Sequence, residues 1–180
     1  MTCVCAVADG TTVVMGGDSA VSNEDGDRTL RSPKVFERGG FLFGVSGEMR
    51  VGQLIQHVHD VPTVTEGQDV EQFIVRDLCG GLRTFLREHA EELLPSQDEA
   101  DDEMWQLLVG VQGRVFRICS HLTVTEPATG YDVIGSATPQ GLGSLASTEG
   151  RPPEERVEVA LRAAGRHHGG VAGPFTVLKI

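Results

Sequence analysis

Met1-Thr2-Cys3-Val4-Cys5-Ala6-Val7 opens the chain, followed by Val13-Val14-Met15-Gly16-Gly17-Asp18-Ser19 and then Pro33-Lys34-Val35. Asp18 stands sixteen residues beyond Thr2, and Lys34 sixteen beyond Asp18. A threonine hydroxyl is a poor nucleophile at neutral pH unless a base takes its proton, and a free α-amine on the same residue, with a pKa of roughly 7.7–8.0, is such a base. An initiator methionine is normally trimmed when the next side chain is small. Loss of Met1 would therefore put hydroxyl and base within one residue, with Asp18 and Lys34 as charged groups at set separations from it.

Outward from that stretch, β-like runs occupy both ends of the chain and helical periodicity its middle. Cys3 to Ala8 and Thr12 to Met15 are β-prone and joined by Asp9-Gly10, a strong hairpin signal. Asn23 to Asp27 is polar and turn-rich and is expected to be a loop. Val35 to Glu37 and Phe41 to Val45 form a second hairpin around Gly39-Gly40. Met49 to His59 predicts a helix with Val51, Leu54, Ile55 and Val58 on one face, and Asp69 to Leu94 a longer one carrying Phe73, Leu78, Leu82, Phe85 and Leu86, interrupted at Gly80-Gly81. That pair either kinks the helix or lets it pack closely on a sheet. Pro95 to Glu103 is an acidic connection, expected as an exposed loop. Trp105 to Gln112, Arg114 to Ser120 and Asp132 to Gly135 predict strands. Helices are expected over Ala137 to Ser147 and Pro153 to His167, with Glu154-Glu155 suiting a helix start, and Phe175 to Ile180 closes as a strand.

A chain of 180 residues suits a single domain, 1–180, with no linker or internal repeat. The formal net charge of -11 argues against nucleic acid or an anionic membrane as partner. No apolar run is long enough to span a bilayer and no leader is evident, so a cytoplasmic protein is expected. Cys3, Cys5, Cys79 and Cys119 lack metal or disulfide spacing, and His57, His59, His167 and His168 do not make a ligand set, so neither a cofactor nor a metal is expected. There is no Gly-x-Ser-x-Gly elbow for a serine hydrolase, and adjacent Ser120-His121 is no triad.

The order of strands and helices predicts an α+β, four-layer αββα sandwich, two antiparallel sheets face to face with helices outside. With Thr2, Asp18, Lys34, Gly44-Val45-Ser46-Gly47 and Ile134-Gly135-Ser136, it resembles the N-terminal nucleophile hydrolases, in particular the proteasome β subunit and the bacterial heat-shock-locus ATP-dependent protease peptidase subunit. The resemblance implies that Thr2 attacks a peptide carbonyl with its own amine as base. It further implies that Lys34 stabilises the alkoxide, that Asp18 holds Lys34, that the Gly47 N–H binds the oxyanion, and that Ser136 hydrogen-bonds the amine. Ser19 is a further candidate to touch substrate.

Each residue has a plainer role open to it: Asp18 capping its own turn, Lys34 solvated, Gly47 a cap glycine, Ser136 an N-cap. The family pattern also places an acid after the last helix, where this chain reads Arg166-His167-His168-Gly169-Gly170-Val171. The implied activity is a threonine peptidase subunit of a self-compartmentalising protease, a homo-oligomeric ring or stacked rings degrading polypeptides with a possible ATP-dependent unfoldase. A stand-alone amidase on a small amide, or an inactive structural ring subunit, is the alternative. Apolar faces around Val51 to Val58 and Phe73 to Leu86 are expected to supply subunit contacts.

Overall fold

A computed structural model describes residues 1–23, 26–95 and 104–180. Strands β1 (Val4–Ala8) and β2 (Val13–Gly17) form the first hairpin, and β3 (Ala20–Asn23) and β4 (Gly26–Thr29) a small two-stranded ribbon. Next come β5 (Val35–Arg38), β6 (Phe41–Gly47) and helix α1 (Met49–His57). A continuous helical run holds α2 (Val70–Phe73), a π-helical turn at Ile74–Leu78 and α3 (Cys79–His89). Beyond it lie β7 (Trp105–Val111), β8 (Arg114–Cys119), β9 (Val124–Thr125) and β10 (Tyr131–Ile134). Helices α4 (Thr138–Ser147) and α5 (Pro153–His167) and strand β11 (Thr176–Lys179) complete the chain.

The antiparallel strands make one sheet in the order β10-β1-β2-β11 and another in the order β5-β6-β7-β8-β9. Alternation along β1 explains how these layers stack. Cys3, Cys5 and Val7 point to α4 and α5, packing with Leu145, Val157 and Leu161. Val4 and Ala6 point the other way, into an apolar layer with Met15 of their own sheet and Leu42, Leu108 and Val115 of the facing one. The outer face of the five-stranded sheet is covered by α1, α2 and α3 through Val51, Ile55, Phe73, Leu82 and Leu86. Three apolar layers between four structural ones give the expected αββα sandwich. The sheets approach closely where side chains vanish: a Cβ on Gly44 would strike Val4, and one on Gly110 would lie 2.6 Å from Val13.

Several local expectations change. Of the loop expected at Asn23 to Asp27, Asn23 ends β3 and Gly26 and Asp27 begin β4, while Glu24 and Asp25 lie outside the described residues. Ala8 pairs with Val13, so the first turn has four residues, with the Asp9 carboxylate accepting from the Thr12 and Thr11 amides; those bonds hold its carboxyl well below the usual range. Val58 lies past the end of α1 and is exposed, so it is not part of the buried face. The helix runs unbroken through Gly80-Gly81, the irregular turn being the π segment before it. Val51, Ile55, Phe73, Leu78, Leu82 and Leu86 are buried in the molecule's own core, so they are not free for subunit contacts. Of the acidic connection, residues 96 to 103 lie outside the described residues.

Candidate active site

Sheet register brings the sequence-distant residues together. Val4 pairs with both Gly17 and Ile134. Following both antiparallel ladders outward sets Cys3 beside Asp18 and Thr2 beside Ser136. The bonds agree: Cys3 N donates to Asp18 Oδ1 at 2.9 Å, Asp18 N to Cys3 O at 3.1 Å, and Thr2 N to Ser136 Oγ at 3.2 Å. Lys34, immediately before β5, enters from the facing sheet.

Lys34 is 1% exposed, which removes the solvated-lysine alternative. Its Nζ donates to Asp18 Oδ1 and Oδ2 at 2.9 and 3.0 Å, to Ala20 O at 2.7 Å, to Thr2 Oγ1 at 3.2 Å and to Met1 O at 3.2 Å. A buried ammonium with its carboxylate in contact is a satisfied pair, and its remaining reach falls on the Thr2 hydroxyl. Asp18 also accepts from Ala20 N at 3.0 Å, so it caps its own turn as well as holding Lys34.

Thr2, Lys34, Ser46, Gly47 and Ser136 line one cavity of about 460 Å³. Gly47 ends β6 with φ +82, and a Cβ there would collide with the Met104 carbonyl, so a side chain is excluded by both conformation and space. Glu48, not Gly47, is the N-cap of α1, its carboxylate accepting from Arg50 N. Ser136 caps no helix either, because α4 begins behind Ala137 without a side-chain cap.

Ser19 does not join the group. Its hydroxyl donates to Pro174 O and its amide to Ala172 O, tying the loop before β11 to the end of β2. Sequence reasoning gave Gly135 no role, yet at φ +99 its backbone lies against Thr2, and a Cβ would collide with the Thr2 carbonyl oxygen. Its place between Ile134 and Ser136 was the available signal. In the C-terminal loop, His168 Nδ1 accepts from Gly170 N within its own turn, and Gly170 lies under the Met1 side chain.

Cysteine nucleophiles are disfavoured by burial. Desolvation, reinforced by the Asp18 charge and only partly offset by Lys34, pushes the Cys3 thiol up to about 12; Cys5 is raised by burial as well. Among the described residues no three His, Cys, Asp or Glu side chains gather where a metal could sit, and no helix is long and apolar enough to cross a membrane.

No family model matches the chain, and no curated protein matches it in sequence. Solved structures do. Thiobacillus denitrificans BPH superposes with a TM-score of 0.78 over 99% of this chain and 97% of its own, at 18% identity. Its complex with epoxomicin gives 0.78 at 17% identity, over 99% and 98% of the two chains. The eukaryotic HslV of Trypanosoma brucei gives 0.68 at 18% identity over 99% and 98%. The chain has the proteasome-like N-terminal nucleophile hydrolase fold. Its αββα layers are those of that fold, carried by a sequence only 17–18% identical to these structures.

Proposed function

We propose that this chain is a threonine-type peptidase subunit, one domain over 1–180, with Thr2 as nucleophile once Met1 has been removed. The observation that carries the proposal is the convergence on Thr2 of a buried, carboxylate-paired Lys34 at its Oγ1 and of Ser136 Oγ at its nitrogen. In this mechanism Thr2 Oγ attacks the carbonyl carbon of the peptide bond and its proton passes to the Thr2 amine. The Lys34 charge stabilises the alkoxide, and the Gly47 N–H donates a hydrogen bond to the developing oxyanion. Collapse of the tetrahedral intermediate expels the amine product, which takes the proton, and leaves an ester on Thr2. Water, activated by the same amine, then hydrolyses the ester. Ser136 orients the amine in the absence of a carboxylate from the C-terminal loop.

The substrate is a polypeptide, and the working form is a homo-oligomeric ring or stacked rings in the cytoplasm, fed by an ATP-dependent unfoldase. The fold shared with HslV supports this, and so does economy: the chain spans nearly the whole length of those relatives and has no room for the insertions that a closed amidase pocket requires. Intact mass before and after epoxomicin tests the chemistry. The expected result is loss of Met1 and one adduct on Thr2. An adduct on a cysteine, or peptidase activity with Met1 fully retained, would overturn it.

A further inference from the structure

We propose that Met1, while present in the folded chain, locks the site against its own removal, so that the methionine must be cut off before the chain folds. The proposal rests on the assignment of Thr2 as nucleophile and concerns how that nucleophile is released. Removing Met1 is a hydrolysis by an external aminopeptidase: water adds across the Met1–Thr2 amide, free methionine leaves, and the Thr2 nitrogen becomes an α-amine. For this the aminopeptidase must grip the N-terminal amine, the side chain and the scissile carbonyl together.

Folding withdraws the carbonyl among these handles and pins the scissile bond from both sides. The Met1 carbonyl oxygen accepts from Thr2 Oγ1 at 2.7 Å and from Lys34 Nζ at 3.2 Å. On the other side of the bond, Thr2 N is held by Ser136 Oγ at 3.2 Å, and Thr2 is only 5% exposed. The next residue, Cys3, is fully buried with its amide on Asp18. The side chain of Met1 is itself largely exposed, but it lies along Gly170 so closely that a Cβ there would come within 2.5 Å of its Sδ and Cε. Pulling the Met1–Thr2 bond into an enzyme cleft therefore breaks the contacts to Lys34 and Ser136, and gaining one more residue of slack breaks the Asp18 contact.

The same bonds silence the nucleophile. With Met1 attached there is no free amine to serve as base, and the Thr2 hydroxyl spends its proton on the Met1 carbonyl rather than on a productive acceptor. A chain that folds before trimming is thus a latent subunit.

The test uses the full chain with Met1 retained, produced with methionine aminopeptidase inhibited. Purified methionine aminopeptidase is added to the folded protein and, separately, to the same protein unfolded in a urea concentration the aminopeptidase tolerates, and trimming is followed by intact mass. Trimming of the folded form is expected to be at least about tenfold slower, because cleavage must wait for the terminus to open. Gly170→Ala, whose methyl displaces the Met1 side chain, is expected to accelerate trimming of the folded form. Equal rates for folded and unfolded chain, fast or slow, overturn the lock, as does loss of Met1 from the folded protein with no aminopeptidase present. Refolding the trimmed chain and adding epoxomicin separates the two proposals. Slow folded-state trimming without a Thr2 adduct leaves the lock and removes the nucleophile, whereas an adduct with equal trimming rates does the reverse.

Discussion

Lys34 Nζ faces five oxygens with three protons to give, and two of those oxygens belong to Asp18. Removing the ammonium therefore has two separable effects. Lys34→Ala is expected to lower turnover by at least about 10²-fold through loss of a major electrostatic stabiliser. It also leaves the Asp18 carboxylate buried beside an empty slot, at a cost of about 3–5 kcal/mol of stability. Asp18→Asn combined with Lys34→Met is expected to recover most of that stability in a urea titration and none of the peptidase activity. Recovery of activity in the double variant would mean that the pair is structural only. Thr2, Asp18 and Lys34 were legible in the sequence because each carries its own chemistry at a set interval. Gly135 and the Ala20 carbonyl were not, since what they contribute is backbone.

Elements, more than single residues, decide how accurately the cavity is shaped. The corner between β6 and α1 turns at Gly47 in a conformation with φ +82, and Gly47→Ala adds about 1–2 kcal/mol of backbone strain there besides the collision with Met104. Turnover is expected to fall about 10²-fold as the N–H moves, with little change for Ser46→Ala, measured on matched soluble protein. Behind α1, His59 is 6% exposed and its ring packs against Phe85 of α3, tilted by 45° with centroids 4.8 Å apart. Burial lowers its pKa from 6.5 and the Arg38 charge adds to that, against the opposing pull of Asp60. The unfolded chain then binds the proton more readily than the folded one, so this contribution is present above about 6.5 and is lost as pH falls through that value toward the lower folded pKa. Thermal melts from pH 7.5 to 5.5 should show a drop on acidification that His59→Phe flattens. The long hydrophobic strands and α5 were readable because periodicity and caps agreed. The β3–β4 ribbon was hidden by polar, turn-like composition, and the π turn at Ile74–Leu78 has no compositional sign, since it changes hydrogen-bond spacing and not residue type.

At the scale of the whole molecule, the helical faces first assigned to subunit contacts are consumed by the core, while Val58 and Val75 remain as exposed apolar residues on the α1 and α2 side. Mass photometry is expected to find a particle of many 19.3 kDa subunits that cleaves short peptides slowly alone and folded proteins only with an ATPase partner. A persistent monomer that hydrolyses a small amide efficiently would select the stand-alone amidase instead. The four-stranded sheet also sets a clock. β1 is flanked by β10, some 130 residues later, and β2 by β11, whose pairing ends with Ile180 bonded to Val13. At roughly 5–20 residues per second the ribosome needs on the order of ten to thirty seconds to supply those partners after Thr2 has emerged. Throughout that interval the N-terminus has neither Ser136 nor its last strand to dock against, so it stays open to a processing enzyme. Synthesis speed and the supply of that enzyme would then govern what share of the subunits is born active, and codon changes that hasten the last third of translation would shift it.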